Sequence, residues 1–506
     1  MSYLERLKNA LHVEQRVELA ADINCDLQVL EIMIREDVEN IVVETAANNR
    51  NCPQYLRDIA SSRFSNIKFA QENSTVIDSI CPIPWVSIGI QQNGDYRICC
   101  QAIYHPYSKL TDESGTLSVK NSTISEARNH QVYKNVRAEM LTGKKPNMCK
   151  LCYKEEELSL NSKRKSMLRK YDISQYAQQT TSDGSIDVAQ FPLRYIDIRF
   201  GNLCNLKCRY CGPTDSSLWY EDFVEYANKQ TVNFYGNKQY KLSKVNNKWT
   251  IDSLDFEWYE DEQFWTAIET LIPHIDRYYF TGGEPTINKT HFKLLQMIID
   301  KGYSNKVTLE YNSNMVAIPE KLYQLWYKFF RVEIGCSIDG YREYANYLRY
   351  PSNWDELEKN LDRLGMDNKN IVGGISTTVN IYNVLNFLDL TKWLLGKNYK
   401  NMKKVPSYHV LEGPESMSIQ ALPLDTKLWV TEQYEKFYQE IELTYGSRWS
   451  SSLKLSYAGI INYMMAADRS NLLPILARDT ATLDNIRQQS IDTVIPWLAQ
   501  ILNKAK

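Results

Sequence analysis

Six short apolar runs, separated by helical patterns between Tyr195 and Leu411, restrict the fold of this chain more than any other feature. They are YIDIRF (Tyr195–Phe200), RYYFTG (Arg277–Gly282), VTLEYN (Val307–Asn312), VEIGCSI (Val332–Ile338), IVGGISTTV (Ile371–Val379) and VPSYHVL (Val405–Leu411). Between them lie helical stretches such as His291–Gly302 and Trp354–Gly365. Near-continuous apolar strands alternating with helices imply a parallel sheet covered by helices. Six such units predict an α/β chain with a partial (β/α)6 TIM-like barrel rather than the complete eightfold one.

The flanking sequence divides further. Residues 1–75 read as successive helices with a faint repeat near 25 residues, in which Leu30 and Met33 are echoed by Leu56 and Ile59. Residues 76–170 read as a small α+β unit. CPIPWVSIGI (Cys81–Ile90), a turn at Asn93-Gly94 and DYRICC (Asp95–Cys100) predict a β-hairpin, followed by a helix over Ser125–Leu141 and then Cys149-Lys-Leu-Cys152. The basic helix Lys163–Lys170 reads as a solvated connector. The barrel spans 190–425, with a long Tyr- and Trp-rich insertion over 213–275 that is expected to carry its own structure, such as a lid. Residues 426–506 read as helices.

Composition excludes several classes of function. Lys plus Arg number 59 and Asp plus Glu 61, so the net charge of −2 offers no broad electrostatic surface for nucleic acid or membrane. The charged amphipathic start MSYLERLKNALHVEQ has no apolar signal core, and no apolar stretch reaches membrane-spanning length, so a cytoplasmic location is expected. Eleven cysteines, mostly in tight groups, point to metal or redox chemistry rather than to a disulfide framework. Cys25, Cys52 and Cys336 lie among apolar or small neighbours and read as buried small hydrophobes.

Directly after the first barrel strand comes GNLCNLKCRYCG, a C-x3-C-x2-C loop with Cys204, Cys208 and Cys211. Three thiolates on one loop can hold a [4Fe–4S] cube and leave one iron open. A zinc knuckle would want a fourth ligand, and none is near in sequence.

This loop resembles the signature of the radical S-adenosylmethionine (SAM) superfamily, including the aromatic Tyr210 before the third cysteine. The resemblance extends to TGGEPTIN, with Gly282, Gly283 and Glu284 after the second strand, and to Asn312 and Asn314 after the third. It also takes in Ser337 at the end of the fourth strand and Arg349 twelve residues on. It implies that the open iron chelates SAM, that Gly282, Gly283 and Glu284 meet the methionine end of the cofactor, and that Ser337 and Arg349 hold its carboxylate. Thr378 and Asn380 match less closely. It further implies one-electron cleavage of SAM and hydrogen abstraction from a substrate, with electrons from a flavodoxin- or ferredoxin-type partner.

Cys81, Cys99, Cys149 and Cys152 resemble the auxiliary-cluster motif of SPASM and twitch domains, here placed before the barrel. The resemblance implies a second [4Fe–4S] cluster; a structural zinc site uses the same ligands. Cys100 would point to the opposite strand face from Cys99, so Cys99 is favoured. A fully ligated second cluster suits net two-electron oxidation, and the family implies a peptide or protein side chain as substrate. The alternatives are a dehydrogenase or rearranging enzyme acting on an aminocyclitol, sugar or nucleotide, and a non-catalytic iron–sulfur or zinc scaffold. No catalytic acid or base is legible; His409 and Asp339 read as supporting residues.

Overall fold

The computed structural model describes residues 79–505 apart from 105–108, 114, 158–161, 230–240, 246–247, 253 and 368. In the N-terminal stretch it describes only Ala20, Leu30, Met33, Val43, Thr45, Ala46 and Cys52. The chain divides into two compact units, 1–78 and 79–506. In the first, Ala20, Leu30, Met33, Val43, Thr45 and Ala46 are helical, and Leu30, Met33 and Cys52 are buried. The echo of the 25-residue repeat and Cys25 lie outside the described residues.

The second unit is built on one eight-stranded sheet. Its strands are β1 (Ser87–Ile90), β2 (Tyr96–Arg97), β3 (Tyr195–Ile198), β4 (Arg277–Phe280), β5 (Thr308–Ser313), β6 (Arg331–Ser337), β7 (Ile371–Val379) and β8 (Ser407–Val410). Strands β3 to β8 follow one another in parallel, as the alternating pattern requires, giving a partial barrel. The N-terminal hairpin extends the same sheet: β1 runs parallel to β3, with Gly89 opposite Asp197, and β2 pairs antiparallel to β1. Gly94, at φ +83°, makes the hairpin turn, and a side chain there would meet the Trp258 ring at 2.9 Å. Alternation along β7 buries Ile371, Gly373, Ile375, Thr377 and Val379 against the covering helices, leaving Gly374, Ser376 and Thr378 on the inner face.

Several expectations need correcting. The strand expected from Cys81 begins only at Ser87, because Pro82 and Pro84 favour the helical turn Ile83–Val86. The second hairpin strand stops at Arg97, so Cys99 and Cys100 lie in irregular backbone before the 3-10 turn Gln101–Tyr104, and strand alternation does not separate them. The helix expected over Ser125–Leu141 is two helices, Ile124–Arg128 with a Thr123/Glu126 capping box and Gln131–Leu141 capped by His130. The basic Lys163–Lys170 stretch is not a solvated connector. Lys163 donates to Tyr195 Oη at 3.0 Å and lies over the Tyr195 and Tyr279 rings, Arg164 pairs with Glu156 at 2.5 Å, and Lys170 pairs with Glu310.

The insertion forms two helices, Trp219–Lys229 and Glu262–Leu271, and a small hairpin, Leu242–Val245 with Lys248–Ile251. Several of its described aromatic residues pack internally. Trp258, Phe264 and Trp265 surround Phe200 at the end of β3. Trp219, Phe223 and Tyr226 join a core with the C-terminal helices Leu424–Tyr445, Ser447–Met465, Leu473–Arg487 and Pro496–Lys504. Cys336 is fully buried. Among the described residues no helix is long and apolar enough to cross a membrane.

His291, on the helix after β4, is fully buried, and its Nε2 pairs with Tyr311 Oη at 2.8 Å. Burial pushes its pKa from 6.5 down to about 3. Between those values the unfolded chain binds a proton that the folded chain refuses, so stability is full above pH 6.5 and falls with acid. Wild type is expected to lose about 2 kcal/mol between pH 7 and 5 relative to His291→Gln, at about 1.4 kcal/mol per pH unit below 6.5. Urea unfolding at both pH values checks this, and parallel slopes would contradict it.

Candidate functional site

Leaving β3, the chain turns through Gly201 at φ +68° and enters the loop that carries Cys204, Cys208 and Cys211. The loop is heavily braced. Ser216 Oγ donates to Leu206 O at 2.6 Å, Trp219 Nε1 to Cys208 O at 2.9 Å and Leu206 N to Cys204 Sγ at 3.4 Å. Lys207 N and Arg209 N donate to Tyr350 O and Leu348 O at 2.6 and 2.8 Å. This strand-like pairing sends alternate side chains in opposite directions.

One set runs into the protein. Lys207 pairs with Asp222 at 2.5 Å, and Arg487 pairs with the other oxygen of Asp222 at 2.7 Å while lying over the Trp219 ring. Arg209, fully buried, stacks on Tyr347 at 3.6 Å and pairs with Asp484, and Gln489 accepts from it at 3.0 Å. The C-terminal helix Leu473–Arg487 therefore clamps the cysteine loop from behind, a contact no motif in the sequence announces.

The other set faces the strand ends. Tyr210 donates to Asp339 Oδ2, and Arg349 Nε donates to the same oxygen at 2.7 Å. Arg349 Nη1 lies 3.7 Å from Cys208 Sγ. Asp339 Oδ1 accepts from Thr378 N at 2.8 Å, which ties β6 to β7. Asp339 thus supports Tyr210 and Arg349, and Arg349 stands beside the cysteine loop. Burial pulls the Arg349 guanidinium down, but Asp339, Tyr210 and Cys208 outweigh it and hold the charge in place.

The Gly282-Gly283 turn lies against the cysteine loop. Both glycines have positive φ, and a Cβ at Gly283 would stand 2.3 Å from Leu203 O. Glu284 N donates to Leu203 O at 2.8 Å. The buried Glu284 carboxylate is occupied internally, accepting from Asn314 N at 2.7 Å, Thr286 Oγ1 at 2.7 Å and Ser313 Oγ at 2.9 Å. Asn314 Nδ2 donates to Asn205 Oδ1 at 2.7 Å, fastening the β5 end to the cysteine loop. Asn312 is exposed opposite Gly335, and Ser337 sits opposite Ser376 in the sheet register. Asn380 is buried and shapes the turn after β7, with its Oδ1 accepting from Tyr382 N at 3.0 Å.

The donor set suits iron. Burial, with Cys208 and Glu284 adding to it, pushes the Cys204 thiol up to about 12. The hydrogen bond with Cys211 lowers Cys208, assisted by Arg349, while the same bond and burial raise Cys211. Soft thiols held protonated until a cation claims them are the chemistry of an iron–sulfur site.

Residues 198–388 match the family model described as the Radical SAM superfamily. This segment is a radical SAM domain. No curated protein matches the chain. Among solved structures it is similar to native anSMEcpe with bound AdoMet and Kp18Cys peptide, at 16% identity and TM-score 0.32, covering 49% of this chain and 60% of that one. It is also similar to Streptococcus suis SuiB bound to S-adenosylmethionine, at 12% identity and TM-score 0.30, covering 62% and 63%. The chain thus spans less than two thirds of the length of either structure.

A second thiol group lies at the outer end of the sheet. Cys81, Cys99, Cys149, Cys152 and Cys100 are near enough to act electrostatically on one another, although among the described residues no three such side chains are gathered into a metal site. Cys99 is raised first by burial and then by Cys100, Cys149, Cys152 and Cys81. Burial pushes Cys81 up to about 11 and Cys152 up to about 12. Cys100 acts on Cys81 and Cys152, and burial raises Cys100 itself, with Lys163, Asp197 and Arg199 also acting on it.

Breaking the clamp should loosen the cysteine loop. Loss of one partner of a buried ion pair costs about 3–5 kcal/mol. Asp484→Asn is expected to lose iron faster to a chelator than wild type. Glu435→Gln, which cuts an exposed pair with Lys454, should not. Chelator-challenge kinetics on anaerobically reconstituted protein check this, and equal rates for all three proteins would contradict the clamp.

Proposed function

We propose that this chain reductively cleaves SAM and oxidatively modifies a peptide or protein side chain. The observation that carries the reading is the meeting of three strand ends on one three-thiol loop. Gly282-Gly283, Asn314, Asp339 and Arg349 all close on the segment from Leu203 to Tyr210. When bound, the cluster and SAM supply one-electron cleavage and hydrogen abstraction from the substrate.

The chain's own residues hold and orient. Cys204, Cys208 and Cys211 hold the cluster, and the Arg349 cation beside Cys208 offsets thiolate charge. Gly282 and Gly283 keep the loop backbone close, while Glu284 acts on the cofactor indirectly by fixing the Asn314 backbone. Ser337, Asn312 and Tyr210 belong with the cofactor side of the site, and Arg349 with the cofactor carboxylate. Asp339 positions both Tyr210 and Arg349.

Cys81, Cys99, Cys149 and Cys152 hold a twitch-type auxiliary cluster. Cys100, which acts on Cys81 and Cys152 and is acted on by Lys163, supports a short path for an electron leaving a substrate on the inner face. A flavodoxin- or ferredoxin-type protein supplies the reducing electron. Among the described residues of the insertion, Trp258 packs on Phe200 and Trp219 and Tyr226 on the C-terminal helices, which favours a peptide over a small molecule enclosed by an aromatic lid.

Iron analysis and product analysis together test this. Reconstituted protein is expected to hold about eight irons and Cys204/Cys208/Cys211→Ala about four, as two four-iron cubes require. Only the wild type should form 5′-deoxyadenosine from SAM under reduction. Cofactor cleavage by the variant, or none by the fully loaded wild type, would overturn the reading. Zinc in place of the variant's iron would reduce the second site to a structural one.

A further inference from the structure

The inner face of the sheet next to the cysteine loop carries buried charged side chains with few hydrogen bonds. Arg199 follows β3, and Asp197 lies opposite Tyr279 of β4 in the register. Both residues are buried, at 8% and 3% exposure. Arg199 Nε forms an ion pair with Asp197 Oδ1 at 3.6 Å, beyond hydrogen-bond reach, and among the described residues neither that nitrogen nor either carboxylate oxygen has a hydrogen-bond partner. Lys163 reaches in from its helix and donates only to the neutral Tyr195 hydroxyl, between the Tyr195 and Tyr279 rings.

The other charges nearby are already matched. Glu310 is held by Lys170 and Arg277, and Arg97, opposite Gly89 on the outer strand, has Asp95 beside it. Arg199 faces Asp197, while Lys163 is acted on by Cys100, Glu310 and Asp197.

Buried charged groups without hydrogen bonds cost several kcal/mol and persist where a ligand completes them. A guanidinium fork is suited to a carboxylate. Gly282 fixes the location: a Cβ there would lie 2.6 Å from Arg199 Cβ, so the arginine stem rests on the same turn that closes the cysteine loop.

We propose that Arg199 and Lys163 bind a carboxylate of the substrate on this inner face, with Asp197 accepting a hydrogen bond from a neighbouring N–H or O–H of the same molecule. The substrate is then a polypeptide segment with an acidic residue at or beside the modified position. This rests on the radical SAM reading above and names the substrate class within it.

The test is isothermal titration of the reconstituted, SAM-loaded protein with N-acetylglutamate N-methylamide and with its glutamine counterpart. The glutamate probe is expected to bind at least about tenfold more tightly, a difference of about 1.4 kcal/mol. Arg199→Gln and, separately, Lys163→Met should each abolish that preference while retaining iron. Equal binding of the two probes, binding of neither, or a preference that survives in both variants would overturn the proposal. 5′-Deoxyadenosine formation by the same wild-type preparation separates the two readings: with cofactor cleavage intact, failure of the titration refutes the carboxylate site alone.

Discussion

The Asp339 carboxylate, completely buried just beyond the end of β6, is the contact on which the site depends. One of its oxygens takes the Tyr210 hydroxyl and the Arg349 guanidinium; the other takes a backbone N–H of β7. Asn383 Nδ2 meanwhile donates to its main-chain oxygen at 2.8 Å. A single acidic side chain therefore joins the cysteine loop, the residue after the fourth strand's turn and the start of the next turn. Such a buried carboxylate is tolerable because every partner is a donor and one carries full charge. It also explains how Arg349, far in sequence from Cys208, comes within 3.7 Å of its sulfur.

Around that centre the flanking segments act as two walls. On one side the C-terminal helices receive the inward charges of the loop, Lys207 and Arg209, through Asp222, Asp484 and Arg487. On the other, the N-terminal hairpin continues the barrel sheet through β1, and Cys100 beyond it is acted on by Lys163, Asp197 and Arg199. An auxiliary unit that precedes the barrel in sequence can thus adjoin the same interior, because β1 pairs in parallel with the first barrel strand.

The six parallel strands were legible because apolar runs of the right length leave no other packing, and the strand-end motifs were legible because their residue types are chemically specific. The hairpin's union with the barrel was not, since a four-residue strand between prolines and a glycine turn carries no record of its long-range partner. Lys163 and Arg164 looked solvated because charge alone says nothing about which face meets Tyr195, Tyr279 and Glu156. Glu284 looked like a cofactor contact, but its carboxylate is consumed by Thr286, Ser313 and Asn314, which only tertiary geometry can show. Asp484 and Arg487 were invisible for the same reason: an ion pair across more than two hundred residues has no local signature.

The central claim is that the Cys204/Cys208/Cys211 loop presents an iron open to SAM. It is tested most directly by electron paramagnetic resonance of the reduced, reconstituted protein before and after SAM is added. The account predicts that one [4Fe–4S] signal changes on addition of the cofactor while the signal of the auxiliary cluster does not. Spectra identical with and without SAM, in protein loaded with both clusters, would contradict it.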